Sequence, residues 1–146
     1  MLFRSAMSTV RIAETDAEIA ACFDVVQELR SRLVREDFVA RVRLQQQAGY
    51  RLAFIPEDGV AVAAAGFRIS TFLAWGRALY VDDLVTSAQL RSHGHGKALL
   101  DWLAAHAKAN GCEQLHLDSG TQRKDAHRFY LRERMEISSF HFQRPL

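Results

Sequence analysis

Two cysteines, no apolar run of membrane length and almost no net charge: each scarcity removes a class of protein. Cys22 and Cys112 stand 90 positions apart and no Cys-x-x-Cys pair occurs, so neither a disulfide framework nor a zinc site is written here, and both read as reduced, packed thiols. The longest apolar run, Val60 to Phe67, falls far short of the ~20 residues of a spanning helix, which excludes a membrane protein. The first six residues carry one arginine and no apolar core of signal-peptide length. A cytoplasmic protein is expected, with a loose N-terminus over residues 1–8 and Met7 as an alternative start. A formal net charge of +2 with a pI near 8.7 gives no whole-chain case for nucleic acid. The basic stretch Arg123, Lys124, Arg128, Arg132 and Arg134 is diluted by Asp125 and Glu133. It reads as a solvated helix face, with only Phe129-Tyr130 available to stack on bases.

What is present suits one soluble domain over residues 1–146. An apolar share of 49% with 25% charged residues is ordinary for a globular chain, and a chain of this size buries roughly 68–70% of its unfolded surface. No repeat, linker or low-complexity segment interrupts it. Val10 to Ala13 reads as a first strand, and Thr15-x-x-Glu18 as a capping box opening a helix whose Ile19, Phe23, Val26 and Leu29 share a face. A second helix is expected from Glu36 to Gln47. Strands follow at Tyr50 to Ile55, Val60 to Ile69 and Ala78 to Thr86, the first two joined by a turn over Pro56-Glu57-Asp58-Gly59. A helix from about His95 stops at Asn110-Gly111, and a strand at Glu113 to Leu117 completes a strand-helix-strand unit that implies parallel neighbours. A helix from Lys124 to Arg134 and a strand from Ile137 to Phe142 close the chain.

The stretch Arg91-Ser92-His93-Gly94-His95-Gly96-Lys97 lies between a strand and a helix and looks like a phosphate cradle. Glycines let the backbone approach a ligand, and the helix start presents unpaired N–H groups. Spacing removes two readings. A nucleotide P-loop needs glycine at Arg91 and a hydroxyl at Ala98; a dinucleotide fingerprint needs glycine at Leu99. The pair His93-x-His95 has no cysteine or carboxylate at ligand spacing, so no metal is expected.

Arg91-x-x-Gly94-x-Gly96, with Tyr80-Val81-Asp82-Asp83-Leu84-Val85-Thr86 ahead of it and Ala126-x-x-Phe129-Tyr130 behind it, resembles the GNAT superfamily of acetyl-CoA-dependent N-acetyltransferases over essentially the whole chain. Two positions depart from the family pattern: Arg123 stands where an asparagine is frequent, and Arg134-Met135 where Gly-Phe is. The resemblance implies an α/β (α+β) fold with a mixed, mostly antiparallel twisted sheet of six to seven strands, a central parallel pair and about four helices on both faces. It further implies transfer from acetyl-CoA to a primary amine of a small molecule or peptide, by direct attack in a ternary complex. A non-catalytic acyl-CoA sensor of the same fold is the alternative. Homodimerisation is common in the family.

The resemblance also distributes roles. The backbone of His93, Gly94, His95, Gly96 and Lys97, with Ser92 and the side chains of Arg91 and Lys97, would hold the pyrophosphate. Leu84, Val85 and Thr86 would hydrogen-bond the pantetheine arm and polarise the thioester carbonyl. Tyr130 also belongs to the cofactor site and is the candidate general acid, since a phenol of pKa about 10 stays protonated at neutral pH. Asp82 and Asp83 are the candidate bases or amine anchors, expected on opposite sides of their strand because side chains alternate; Asp118 is a second choice, and His127 can share a helix face with Tyr130. The identity of the amine stays open.

Overall fold

The computed structural model describes residues 9–90 and 93–146. The expected loose N-terminus over residues 1–8, and the cofactor roles of Arg91 and Ser92, lie outside the described residues. The chain divides into two compact units, one ending at His116 and one formed by Leu117–Leu146.

In the first unit, β1 (Arg11–Ile12) leads to α1 (Asp16–Ala21) through the expected capping box. Thr15 Oγ1 accepts from the Glu18 N–H at 3.1 Å, and Glu18 Oε1 accepts from the Thr15 N–H at 3.0 Å, so two orphan donors are satisfied reciprocally. The single helix expected next is two. At Cys22 the N–H turns back to the carbonyl of Ile19, three residues earlier, and α2 (Phe23–Leu29) starts afresh. With α3 (Arg35–Gln46), this break raises the helix count from the expected four to five.

The strands β2 (Arg51–Glu57), β3 (Val60–Phe72) and β4 (Gly76–Thr86) form an antiparallel meander. The β2–β3 turn is tighter than the sequence suggests. Only Asp58 (φ 52°) and Gly59 (φ 84°) lie between the paired Glu57 and Val60, and positive φ at both positions is what a two-residue hairpin of the primed type requires. Pro56 stays in the strand, where the register shifts between Ile55 and Pro56; a residue without an N–H is tolerated at such an irregularity.

A short 3-10 turn, Ala88–Leu90, precedes α4 (His95–Ala109), and β5 (Gln114–Leu117) follows. The sheet is mixed, in the order β1-β2-β3-β4-β5, with β5 reached from β4 through the α4 crossover. Helices cover both faces. Leu52 and Phe54 of β2 join Ile19, Phe23, Val26 and Phe38 in one core, while Phe67 of β3 packs edge-on against Trp102 of α4, beside the fully buried Leu99 and Leu103. Cys22 is buried, and desolvation pushes its thiol up to about 12; it is a packing residue.

The second unit carries α5 (Lys124–Arg132). Its helix ends in a Schellman arrangement: the Met135 N–H donates to the Tyr130 carbonyl at 3.0 Å and the Arg134 N–H to that of Leu131 at 3.1 Å. Arg134 itself takes φ 69°, the left-handed position that a glycine would occupy without strain. The expected strand from Ile137 to Phe142 does not form, so the described sheet has five strands and not six to seven. Ile137, Phe140 and Phe142 are 72%, 81% and 91% exposed. Their parity differs, residue 137 against 140 and 142, so no register puts all three on one buried face.

Candidate active site

The site of the first unit is built on an irregularity in β4. Gly66 pairs with Asp83 while Phe67 pairs with Val81, so Asp82 is the extra residue of a β-bulge. Strict alternation would send Asp82 and Asp83 to opposite sides. The bulge removes one step of that alternation, and both aspartates line the same cavity of about 580 Å³.

Each aspartate is held by an arginine. Arg68 grips Asp82 with two parallel contacts, Nε to Oδ1 at 3.1 Å and Nη2 to Oδ2 at 2.8 Å, and the pair is three-quarters buried at 24% and 25% exposure. Arg30 donates through Nε to Asp83 Oδ1 at 2.8 Å and through Nη2 to the main-chain carbonyl of Asp82 at 2.8 Å. This second bond satisfies a carbonyl at the bulge. The other oxygen of Asp83 accepts from the Tyr50 hydroxyl at 2.8 Å. Burial, with the neighbouring Asp83 charge, pushes the Tyr50 phenol far above its ordinary pKa, so it is a permanent donor. The Arg68 guanidinium lies over the Tyr50 ring, 5.5 Å from its centroid.

Immediately after the aspartates, Leu84 and Val85 are buried and Thr86 is half-buried, paired with Ala65, Ala64 and Ala63 of β3. With the leucine and valine side chains in the core, the main chain is what these two residues can offer a ligand. The α4 start has the form a phosphate needs. Gly94 is its N-cap at φ 84°, no side chain caps it among the described residues, and no acidic residue occupies its first turn. The first helical bond runs from the Ala98 N–H to the Gly94 carbonyl at 3.0 Å, so the N–H groups of His95, Gly96 and Lys97 lie ahead of the helix's own ladder. His95 turns its ring into the protein, 7% exposed and 3.9 Å from Glu57, and contributes to this cradle through its backbone; His93 is exposed. Lys97 pairs with Asp101 one turn on, at 3.2 Å. Among the described residues no group of three His, Cys, Asp or Glu is arranged to hold a metal, and no helix is long and apolar enough to cross a membrane.

In the second unit Tyr130 sits on α5 with its ring 5.4 Å from that of Phe129. Burial raises its pKa, and the charge of Arg123 opposes that rise. His127 Nε2 contacts the Gly120 carbonyl at 2.8 Å, and Asp118 faces His141 at 3.6 Å. Arg123 is the helix N-cap and makes no side-chain capping bond, as its lack of an acceptor oxygen dictates.

A sequence model of the Acetyltransferase (GNAT) family matches residues 12–134. The chain belongs to that family. Two relatives named as N-acetyltransferases are similar over most of their length. An uncharacterized N-acetyltransferase of Bacillus subtilis is 36% identical over 131 residues, covering 88% of this chain and 92% of the relative. The aminoalkylphosphonate N-acetyltransferase of Salmonella typhimurium is 30% identical over 135 residues, covering 91% and 86%. Among solved structures, a transcriptional regulator from Bacillus halodurans shares the fold of this chain with a TM-score of 0.82 at 21% identity, over 95% of this chain and 99% of that one.

The described motif residues of the GNAT resemblance are thus found on a bulged β4, at the start of α4 and on α5. Arg30, Tyr50 and Arg68, which hold the aspartates, carried no signal in the sequence: their partners are 53, 33 and 14 positions away, beyond any local spacing rule.

Proposed function

We propose that this chain is an N-acetyltransferase that moves the acetyl group of acetyl-CoA to a primary amine of a small molecule or peptide, by direct attack within a ternary complex. The observation that carries the reading is the α4 start: a left-handed glycine N-cap with three N–H groups ahead of the helical ladder, downstream of the bulged strand. Bound there, acetyl-CoA supplies an activated thioester. The N–H groups of His95, Gly96 and Lys97 bind its pyrophosphate, and the Gly94 backbone admits it at close range. Main-chain groups at Leu84 to Thr86 hold the acyl arm and polarise the carbonyl.

Asp82 and Asp83 receive the amine. A carboxylate has about four acceptor sites, so each retains capacity beyond its arginine bonds, and takes the ammonium proton directly or through water. The freed lone pair forms the C–N bond, the Tyr130 hydroxyl gives its proton to the departing thiolate as the C–S bond breaks, and the second proton lost by the nitrogen passes to solvent, from which Tyr130 is reprotonated. The burial that raises the Tyr130 pKa keeps that proton in place at neutral pH. The Salmonella relative is named for aminoalkylphosphonates, which supports a small-molecule acceptor for this chain.

The test is release of free CoA from acetyl-CoA across a broad panel of primary amines, beside the melting temperature with and without acetyl-CoA. Turnover with at least one amine and a melting temperature raised by acetyl-CoA are expected. A raised melting temperature with no turnover would favour the non-catalytic acyl-CoA sensor, and no shift at millimolar acetyl-CoA would remove both readings.

A further inference from the structure

We infer that the acceptor is an amine that also carries an anionic group, a carboxylate, phosphate or phosphonate, and that Arg32 and Arg41 receive that group. The inference rests on the transfer reading above and names its substrate class. Its basis is the charge balance of the first unit's cavity. A volume of about 580 Å³ suits a small molecule. Three arginines, Arg30, Arg32 and Arg41, face two aspartates, Asp82 and Asp83, across it.

Both aspartates are already neutralised, Asp83 by Arg30 and Asp82 by Arg68. Arg32 and Arg41 are exposed, and among the described residues neither has an ion-pair or hydrogen-bond partner. The cavity therefore carries two guanidinium groups in excess. A polycation would bring a second ammonium against Arg32 and Arg41, an arrangement that like-charge repulsion disfavours. An acid group instead finds planar guanidinium donors suited to two-point contact.

The arrangement also orients such a molecule. Asp82 and Asp83 directly precede Leu84 to Thr86 on β4, where the thioester is placed. Arg32 lies between α2 and α3, and Arg41 lies within α3. The same cavity is lined by Val26, Leu33, Phe38 and Val42, an apolar wall for an aliphatic spacer. The amine end points to β4 and the acid end to the helices.

The experiment compares specificity constants for a matched series of aminoalkyl acceptors ending in phosphonate, carboxylate, hydroxyl or a second ammonium, with wild-type protein, Arg32→Gln, Arg41→Gln and the double variant. In the wild type the acid-ended amines exceed the hydroxyl-ended one by tenfold or more, and the phosphonate and carboxylate arms show which acid is preferred. Each variant lowers the acid-to-hydroxyl ratio several-fold, through KM, and the double variant brings it near one. Preference for hydroxyl or ammonium ends, or a ratio the variants leave unchanged, overturns the inference. If no acceptor of any class releases CoA, the transfer reading fails on its own. Calorimetric titration of the acid-ended amines then decides the cavity: binding to the wild type that the double variant loses supports the assignment, and no binding to the wild type overturns it.

Discussion

Tyr50 donates its hydroxyl to Asp83 at 2.8 Å across the space that a side chain at residue 66 would fill. A Cβ on Gly66 would come within 1.8 Å of the Tyr50 oxygen and 2.3 Å of the ring carbon that bears it. Gly66 also pairs with Asp83 in the ladder, so this glycine, the tyrosine and the bulge are one device that fixes the Asp83 carboxylate.

Gly66→Ala is therefore expected to cost more stability than Tyr50→Phe. Removing the hydroxyl loses one hydrogen bond to a charged group, about 1.5–3 kcal/mol. Adding the methyl both displaces that hydroxyl and crowds a ring in the core, for about 1–3 kcal/mol beyond it. Urea unfolding of the two variants checks the order, and both variants should raise KM for the amine.

The opposite sign is expected at Arg134. Its φ of 69° places an L side chain in the left-handed region, so Arg134→Gly relieves a strain of about 1 kcal/mol while keeping both Schellman bonds. Chemical denaturation should show a higher midpoint with an unchanged slope.

Alkaline stability should be governed in part by Cys22. Its thiol titrates at about 12 in the folded chain against 9.0 for the unreacted reference. A group whose pKa is raised on folding contributes stability that is complete below the unfolded value and is lost as pH rises through the folded one. The window is thus pH 9 to about 12, and the total is on the order of 4 kcal/mol at 1.36 kcal/mol for each unit. Unfolding free energy measured from pH 8 to 11 should fall, and Cys22→Ala should flatten that fall.

At the reaction, Tyr130→Phe should reduce kcat by about 100-fold or more, the usual scale of general-acid assistance, with little change in the acetyl-CoA KM. In the proposed transfer the active form is the protonated phenol, so activity should be lost as pH rises through its pKa. Arg123 lowers that pKa against the effect of burial; Arg123→Gln should shift the alkaline limb of kcat to higher pH. A limb that stays in place would separate Tyr130 from the proton transfer.

Local chemistry was readable from sequence wherever a feature is satisfied by residues close in the chain. Thr15 and Glu18 announce a helix start because both halves of the capping box lie within one turn. Asp58-Gly59 announces a hairpin, and the Gly94 stretch a helix start, for the same reason. Features that depend on a distant partner were not readable. The segment from Ile137 to Phe142 reads as a strand, but a strand exists only when another chain segment pairs with it. Asp82 and Asp83 share a cavity only because Gly66 and Phe67, on another strand, take partners two residues apart. The break at Cys22 has no proline or glycine to mark it. The arginines of the site are ordinary surface charges until folding sets them against Asp82 and Asp83.

Direct acetyl transfer in a ternary complex is tested by initial rates of CoA release with both acetyl-CoA and amine varied. Intersecting double-reciprocal lines, with no CoA released when the amine is omitted, are predicted. Parallel lines, or a burst of CoA without amine, would show an acetylated protein intermediate and contradict the account.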